Sequence, residues 1–302
     1  MQHLTSIAEL RATCERARHD GRRVGLVPTM GFLHEGHRSL MRAARTDTDF
    51  VVVTIFVNPL QFGAGEDLDR YPRDPSGDLA QCEAEGVDVV FAPSAAEMYP
   101  NGAPLTTVHV DRLTADLCGA ARPTHFDGVT TVVTKLFAIV GPCAAYFGRK
   151  DAQQLAVITR MAADLDLPVD VIGCPIVREA DGLALSSRNA YLRAEERAAA
   201  LVLSRSLDAA AALAAGGERG AELLAAKVRE IVATEALVQL EYVEVRDAHE
   251  LTRRDEFGGH ADVLIALAAH VGSTRLIDNV TIAIRHEAAI VDLGKRSEGV
   301  TS

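Results

Sequence analysis

The sequence predicts an α/β protein: a doubly wound parallel sheet, followed by a second, smaller α+β domain. Three observations carry this reading. Short β-rich apolar runs alternate with helical patterns from the N-terminus to about residue 175, the pattern of strand–helix–strand crossovers. The run Val51-Val52-Val53-Thr54-Ile55-Phe56-Val57 is apolar almost without alternation, as a parallel strand covered on both faces requires. The pattern then changes after about Val177, where an alanine-rich helix is followed by longer strand candidates.

Taken in order, strands are expected at 24–27, 50–57, 87–91, 144–147 and 169–172, and helices at 36–45, 76–85, 128–140 and 152–164. Ligands of such sheets bind beyond the carboxyl ends of the strands. In the second part a helix spans 194–215 and stops at the helix-terminating pair Gly216-Gly217. A second helix covers 221–234, and strands follow at 240–246, 263–269 and 274–280. The expected domains are 1–176 and 177–302, with no internal repeat and no low-complexity linker.

Composition excludes several classes. The 302 residues suffice for one large domain, or a large and a small one. A formal net charge of −11 argues against a long nucleic-acid footprint, which needs lysine and arginine to displace counterions, but leaves room for a local basic pocket. The stretch Met1 to Asp20 is charged throughout and lacks the apolar centre of a signal peptide. No apolar run is expected to reach the roughly 18–20 residues that span a bilayer. Cys14, Cys82, Cys118, Cys143 and Cys174 are scattered without a C-x-x-C pair, which points to reduced structural thiols in the cytoplasm.

The most informative stretch is Pro28-Thr29-Met30-Gly31-Phe32-Leu33-His34-Glu35-Gly36-His37. An apolar strand ends at Pro28, the chain turns through Thr29 to Gly31, and a helix begins near Gly36. The first N–H groups of a helix carry partial positive charge and suit an anion such as a phosphate. His34 and His37 lie about one turn apart, so both rings can serve one side of that site, donating to an α-phosphate and its leaving pyrophosphate. Gly31 and Gly36 allow close backbone approach to a nucleotide. Histidines at a helix start also serve simply as caps.

Three later segments add groups of matching chemistry. In Gly148-Arg149-Lys150-Asp151-Ala152-Gln153-Gln154, again between a strand and a helix, Lys150 can reach triphosphate oxygens and Asp151 a ribose hydroxyl or a metal-bound water. A charged loop at a strand end is the plainer explanation. In the segment from Val177 to Asn189, Asp181-Gly182 is a turn, and Ser186-Ser187-Arg188 offers two hydroxyls and a guanidinium to a polyphosphate. A capping turn before the alanine-rich helix would explain the serines equally well. In Asn58-Pro59-Leu60-Gln61-Phe62 neutral amides can orient a small hydroxylated or carboxylated substrate, with Phe62 and Met30 walling its apolar part. A Pro-containing turn with a helix-start asparagine is the alternative.

Together these four segments, with Tyr71-Pro72-Arg73, resemble the pantoate–β-alanine ligase (pantothenate synthetase) family. That family belongs to the nucleotidyltransferase superfamily, which shares H-x-G-H with class I aminoacyl-tRNA synthetases. The likeness covers nearly the whole chain; H-x-G-H alone identifies only the superfamily. It implies a Rossmann-like first domain that binds ATP and pantoate, a small second domain that closes over the active site, and a homodimer. It implies that Met30, Gly31, Phe32, Leu33, His34, Glu35, Gly36 and His37 border ATP, with His37 the catalytic histidine. Gly148, Arg149, Lys150, Asp151, Val177, Leu185, Ser186, Ser187 and Arg188 then line the nucleotide too. Gln61 and Gln154 hold pantoate, and Gln61 also lies near β-alanine. The chain departs from the family at Arg149, where Glu or Gln is usual, and at Leu185, where Met is usual; Ala152 is a common variant.

The implied reaction joins pantoate to β-alanine through a pantoyl adenylate, releasing AMP and pyrophosphate, with Mg²⁺ accompanying ATP. His34, His37, Lys150, Arg188 and the helix N-terminus would offset the repulsion between carboxylate and triphosphate. The residues do not reveal the metal ligands. Two alternatives remain: a nucleotidyltransferase that leaves AMP on its product, and a non-enzymatic nucleotide sensor. Neither a nucleic-acid nor a membrane partner is expected.

Overall fold

A computed structural model describes residues 1–286 and 288–297. The chain falls into two compact units: Met1–Gly148 with Val157–Cys174, and Arg149–Ala156 with the residues from Pro175 onward. Residues 149–156 thus group with the second unit, although the expected division lay at 176.

The first unit holds six parallel strands: β1 (Gln2–Leu4), β2 (Val24–Thr29), β3 (Phe50–Ile55), β4 (Val89–Phe91), β5 (Cys143–Gly148) and β6 (Val169–Cys174). Their spatial order is β1-β4-β3-β2-β5-β6. From β2 the chain builds outward to one side through β3 and β4, then returns to place β5 on the other flank of β2. Strand order therefore reverses between β2 and β5, and crevices at such a reversal are where open parallel sheets take ligands.

Both faces of the sheet are buried. Val27, Val51, Val53, Val90, Ala144 and Tyr146 form one core with Leu40, Met41 and Ala44 of α2 (Glu35–Asp47) and Cys82 of α3 (Pro75–Ala84). Their strand neighbours Leu26, Val52, Val89 and Ala145 are fully buried on the opposite face. Besides these, the first unit contains α1 (Ile7–His19), two short helices, α4 (Ala95–Met98) and α5 (Cys118–Ala121), and α6 (His125–Val140). Helix α1, not expected from its charged sequence, buries Leu10, Thr13, Cys14 and Ala17, an i, i+3, i+4, i+7 stripe. α7 (Ala152–Asp164) begins within the second unit, and its residues from Val157 belong to the first.

In the second unit, α8 (Ala194–Ala215) and α9 (Ala221–Val232) cover an antiparallel sheet. Its strands are β8 (Val238–Asp247), β9 (His260–Val271), β10 (Thr274–Arg285) and β11 (Ala288–Asp292), in the order β11-β10-β9-β8. A further parallel pair joins β7 (Val177–Arg178) to β12 (Lys295–Arg296). One expectation needs correcting: α8 is long and apolar enough to cross a membrane by length and composition. Its Ala199, Ala200, Val202, Leu203, Leu207, Ala210, Ala211 and Ala214 are buried in the core with α9 and the sheet, which accounts for its apolar character within the fold.

Candidate active site

The loop after β2 is built by its own backbone. Gly31 turns with φ +82°, and a Cβ there would meet Asp78 Oδ2 at 2.9 Å and Ile55 Cγ2 at 3.0 Å, so glycine serves both the turn and the close approach. Phe32 follows, also left-handed at φ 50°. Asp78, in the first turn of α3 and only 2% exposed, holds this turn in place. Its Oδ2 accepts the Phe32 N–H at 2.9 Å and its Oδ1 the Leu33 N–H at 2.7 Å. Burial pushes the Asp78 carboxyl above its ordinary range, a rise that the two amides offset only in part.

The chain delivered by this turn is His34, the N-cap of α2. The two histidines cap reciprocally: His34 Nδ1 accepts the Gly36 N–H at 3.1 Å, and His37 Nδ1 accepts the His34 N–H at 3.3 Å. Their ring centroids lie 4.1 Å apart. An Nδ1 that accepts from an amide carries a lone pair there, so the proton of each neutral ring resides on Nε2. The capping role and the phosphate-donor role are therefore compatible. Capping fixes the rings and makes Nε2 the donor.

Asn58 and Gln61 belong to a 3-10 turn, Pro59–Gln61, just beyond β3. Asn58 is 1% exposed and caps this turn. Its Nδ2 donates to Gly128 O at 3.0 Å and Gln61 Oε1 at 3.2 Å, and its Oδ1 accepts Tyr99 Oη–H at 2.8 Å. So Asn58 orients Gln61 from inside the core. Gln61 Nε2 contacts Met30 Sδ at 2.9 Å. The Gln61 carbonyl accepts from His125 Nδ1 at 2.8 Å and Arg122 Nη2 at 3.2 Å. Arg122 also pairs with Glu66, and that hydrogen-bonded guanidinium holds the Glu66 carboxyl below its ordinary range. Nearby, Asp74 caps α3 through the Gly77 N–H at 3.0 Å, and the Tyr71 ring packs edge-on against Phe62 at 5.9 Å.

In the second unit Lys150 lies in a 3-10 turn, Arg149–Asp151, with its Nζ 3.9 Å from Asp151. Arg149 pairs with Asp292 at 2.9 Å, so its extra charge is met by an acidic neighbour. The loop after Val177 is anchored at its start. Arg178 makes a buried two-pronged ion pair with Asp278 at 2.7 and 3.0 Å, and Arg197 grips Glu179 at 3.0 and 2.7 Å. Leu185 N–H donates to Val177 O at 3.0 Å, and Ser186 caps the following turn, Ser187–Tyr191. Gln154 sits in the first turn of α7.

Asp78, Arg122, His125 and Gly128 are not marked as functional by the sequence. Each acts by touching a neighbour distant in sequence, and none carries a local pattern that marks it. Among the described residues no group of three or more His, Cys, Asp or Glu side chains could hold a metal ion. The five cysteines are buried thiols, and burial raises Cys14 to about 11 and Cys82 and Cys143 to about 12.

A reversed parallel sheet whose central strand feeds a histidine-capped helix defines the nucleotide-using α/β enzymes of the H-x-G-H kind. The family model for pantoate-beta-alanine ligase matches residues 2–281, and the chain belongs to that family. It is 56% identical to the pantothenate synthetase of Heliobacterium modesticaldum over 284 residues, which covers 94% of this chain and 100% of the relative. The crystal structure of pantothenate synthetase from Thermus thermophilus matches with a TM-score of 0.86 at 45% identity, covering 92% of this chain and 98% of that one. The Francisella tularensis pantoate-beta-alanine ligase, solved complexed with beta-gamma ATP and beta-alanine, matches with a TM-score of 0.75 at 32% identity, covering 92% and 97%.

Proposed function

We propose that this protein condenses pantoate with β-alanine at the expense of ATP, forming pantothenate through a pantoyl adenylate and releasing AMP and pyrophosphate. The observation that carries the reading is the reciprocally capped His34–His37 pair at the start of α2, in a chain that matches the ligase family over residues 2–281.

In the first step a pantoate carboxylate oxygen attacks the α-phosphorus of ATP and the bond to pyrophosphate breaks. The obstacle is repulsion between anions. His34 and His37, whose Nδ1 atoms are taken up by the reciprocal caps, donate to phosphate oxygens through Nε2. Met30 to His37 border the nucleotide, with His37 the catalytic histidine. Lys150 and Arg188 supply positive charge as pyrophosphate departs, and Gly148, Arg149, Asp151, Val177, Leu185, Ser186 and Ser187 are the further nucleotide-lining positions carried over from the family. Gln61 and Gln154 hold pantoate, with Asn58 and Met30 beside them, and Asn58 also orients Gln61. In the second step the neutral amine of β-alanine attacks the acyl carbon, AMP leaves with the bonding pair, and the ammonium proton is lost. No side chain forms a covalent intermediate, so catalysis is positioning and charge stabilisation. Mg²⁺ enters as part of the MgATP substrate, bound by phosphate oxygens and water. A homodimer in the cytoplasm completes the reading, and five buried thiols suit a reducing compartment.

The test incubates the protein with MgATP, pantoate and β-alanine and follows AMP and pantothenate together. Equal amounts of both are expected. Pyrophosphate without free AMP would instead identify an enzyme that leaves AMP on its product, and ATP binding without turnover would identify a sensor.

A further inference from the structure

The carboxyl end of β5 leads directly into the turn that carries Lys150, yet a strand more than a hundred residues later holds that turn. On β10, Leu276, Val280, Ile282 and Ile284 enter the core shared with the helices. Asn279 alternates with them and faces the other side of the sheet, where it is nonetheless only 3% exposed. Its Nδ2 donates to Lys150 O at 2.8 Å and to Arg149 O at 3.0 Å. The amide group is thus committed to two successive carbonyls of the 3-10 turn.

Asn279 is itself fixed by its neighbour. Its N–H donates to Asp278 Oδ1 at 2.8 Å, and the Asp278 carboxylate is gripped by Arg178. Arg178 donates in addition to Asn279 O at 3.3 Å, Gly182 O at 3.2 Å and Leu293 O. Two adjacent residues of one strand therefore tie down the turn bearing Lys150 and the beginning of the loop bearing Ser186 to Arg188. Burial obliges these polar groups to find partners, and the partners they take are the backbone of the two turns. Such anchoring is what a flexible lysine needs if its ammonium is to meet a phosphate at a set position.

We propose that Asn279 is a positioning residue for Lys150, setting the backbone from which the ammonium reaches the triphosphate, with the Arg178–Asp278 pair holding Asn279 in register. The inference rests on the reading that Lys150 serves ATP.

The test is a double-mutant cycle in the full-length enzyme. Asn279→Asp keeps the shape but turns oxygens toward two carbonyls. Asn279→Ala removes the donors without repulsion and covers the case where the aspartate variant fails to fold. Each is measured in the native and the Lys150→Ala backgrounds, with kcat and KM for ATP and pantoate. A displacement of about 1 Å at a reacting group costs on the order of 10²-fold, so kcat/KM for ATP should fall by up to that factor. In the Lys150→Ala background the same substitution should cost less than about 2-fold, because the group being positioned is gone. An equal loss in both backgrounds shows a general structural role and overturns the inference. So do native ATP kinetics in both Asn279 variants. Native turnover in Lys150→Ala alone would instead overturn the reading of Lys150 on which it rests.

Discussion

Gly128→Ala is the most direct probe of how the first unit holds the Gln61 side chain, proposed above to bind pantoate. Gly128 lies in the first turn of α6, where the helix backbone passes against the 59–61 turn. A Cβ built there would stand 2.3 Å from Leu60 O, 2.4 Å from Leu60 C and 2.5 Å from Gln61 N. All three neighbours are backbone, so no side chain can swing aside. Carbon atoms rest at about 3.5–4.0 Å, so the helix or the turn must yield by roughly 1 Å or more. Overpacking of this kind costs about 1–3 kcal/mol, which lowers Tm by several degrees but leaves a protein of ordinary stability folded. The functional cost should be larger. The turn that moves carries Gln61, and its displacement also breaks the Asn58 Nδ2 bond to Gly128 O. A shift of about 1 Å in a positioning group is worth on the order of 10²-fold. Steady-state AMP formation should therefore show kcat/KM for pantoate falling by about 10²-fold, with a smaller change in KM for ATP. A variant with native pantoate kinetics and native Tm would refute the packing argument.

Other perturbations test the remaining parts. His37→Ala should reduce turnover by about 10²-fold or more, the scale of losing one preorganised donor, and a near-native rate of AMP release would remove His37 from the mechanism. The Arg122–Glu66 pair should make the first unit acid-labile. Glu66 titrates below its usual 4.5 in the folded chain, so its stabilisation is complete above that value and is lost as pH falls through the lower, folded one. Thermal midpoints of Glu66→Gln should accordingly vary less with pH below about 4.5 than those of the native protein, and parallel curves would count against the pair. Arg149→Gln breaks an ion pair whose partners are 44% and 37% exposed, so stability should change by less than about 1 kcal/mol in denaturant titrations.

Much of the fold was legible because its signals are local. The apolar run at 50–57 becomes β3, the pattern at 152–164 becomes α7 with the same limits, and the alanine-rich stretch becomes α8 with the same limits. Helix α1 escaped notice because its apolar stripe is narrow and set among charges, although Leu10, Thr13, Cys14 and Ala17 carry the helical period. β1 has only three residues and no pattern to read. In the site, the imidazole pair was visible from H-x-G-H, but its reciprocal capping was not, because the hydrogen bonds depend on backbone direction at the turn. Asn58 stands out in the sequence because it directly follows the most apolar strand. Tyr99 and Gly128 close over it only in three dimensions.

The amino-acid order by itself determined which chemistry this chain carries: two imidazoles at a helix start, a lysine after another strand, a serine pair and arginine in a later turn, and amides beside a third strand. These follow from spacing within a few residues, where covalent geometry leaves little choice. Only the tertiary structure decided that β5 lies beside β2, so that strand order reverses there. It alone also decided that Asp78 grips the turn before His34 and that Asn279 grips the turn of Lys150. Contacts between residues far apart in the chain depend on the packing of whole elements, and that free energy is shared across the core rather than written at either end of the contact.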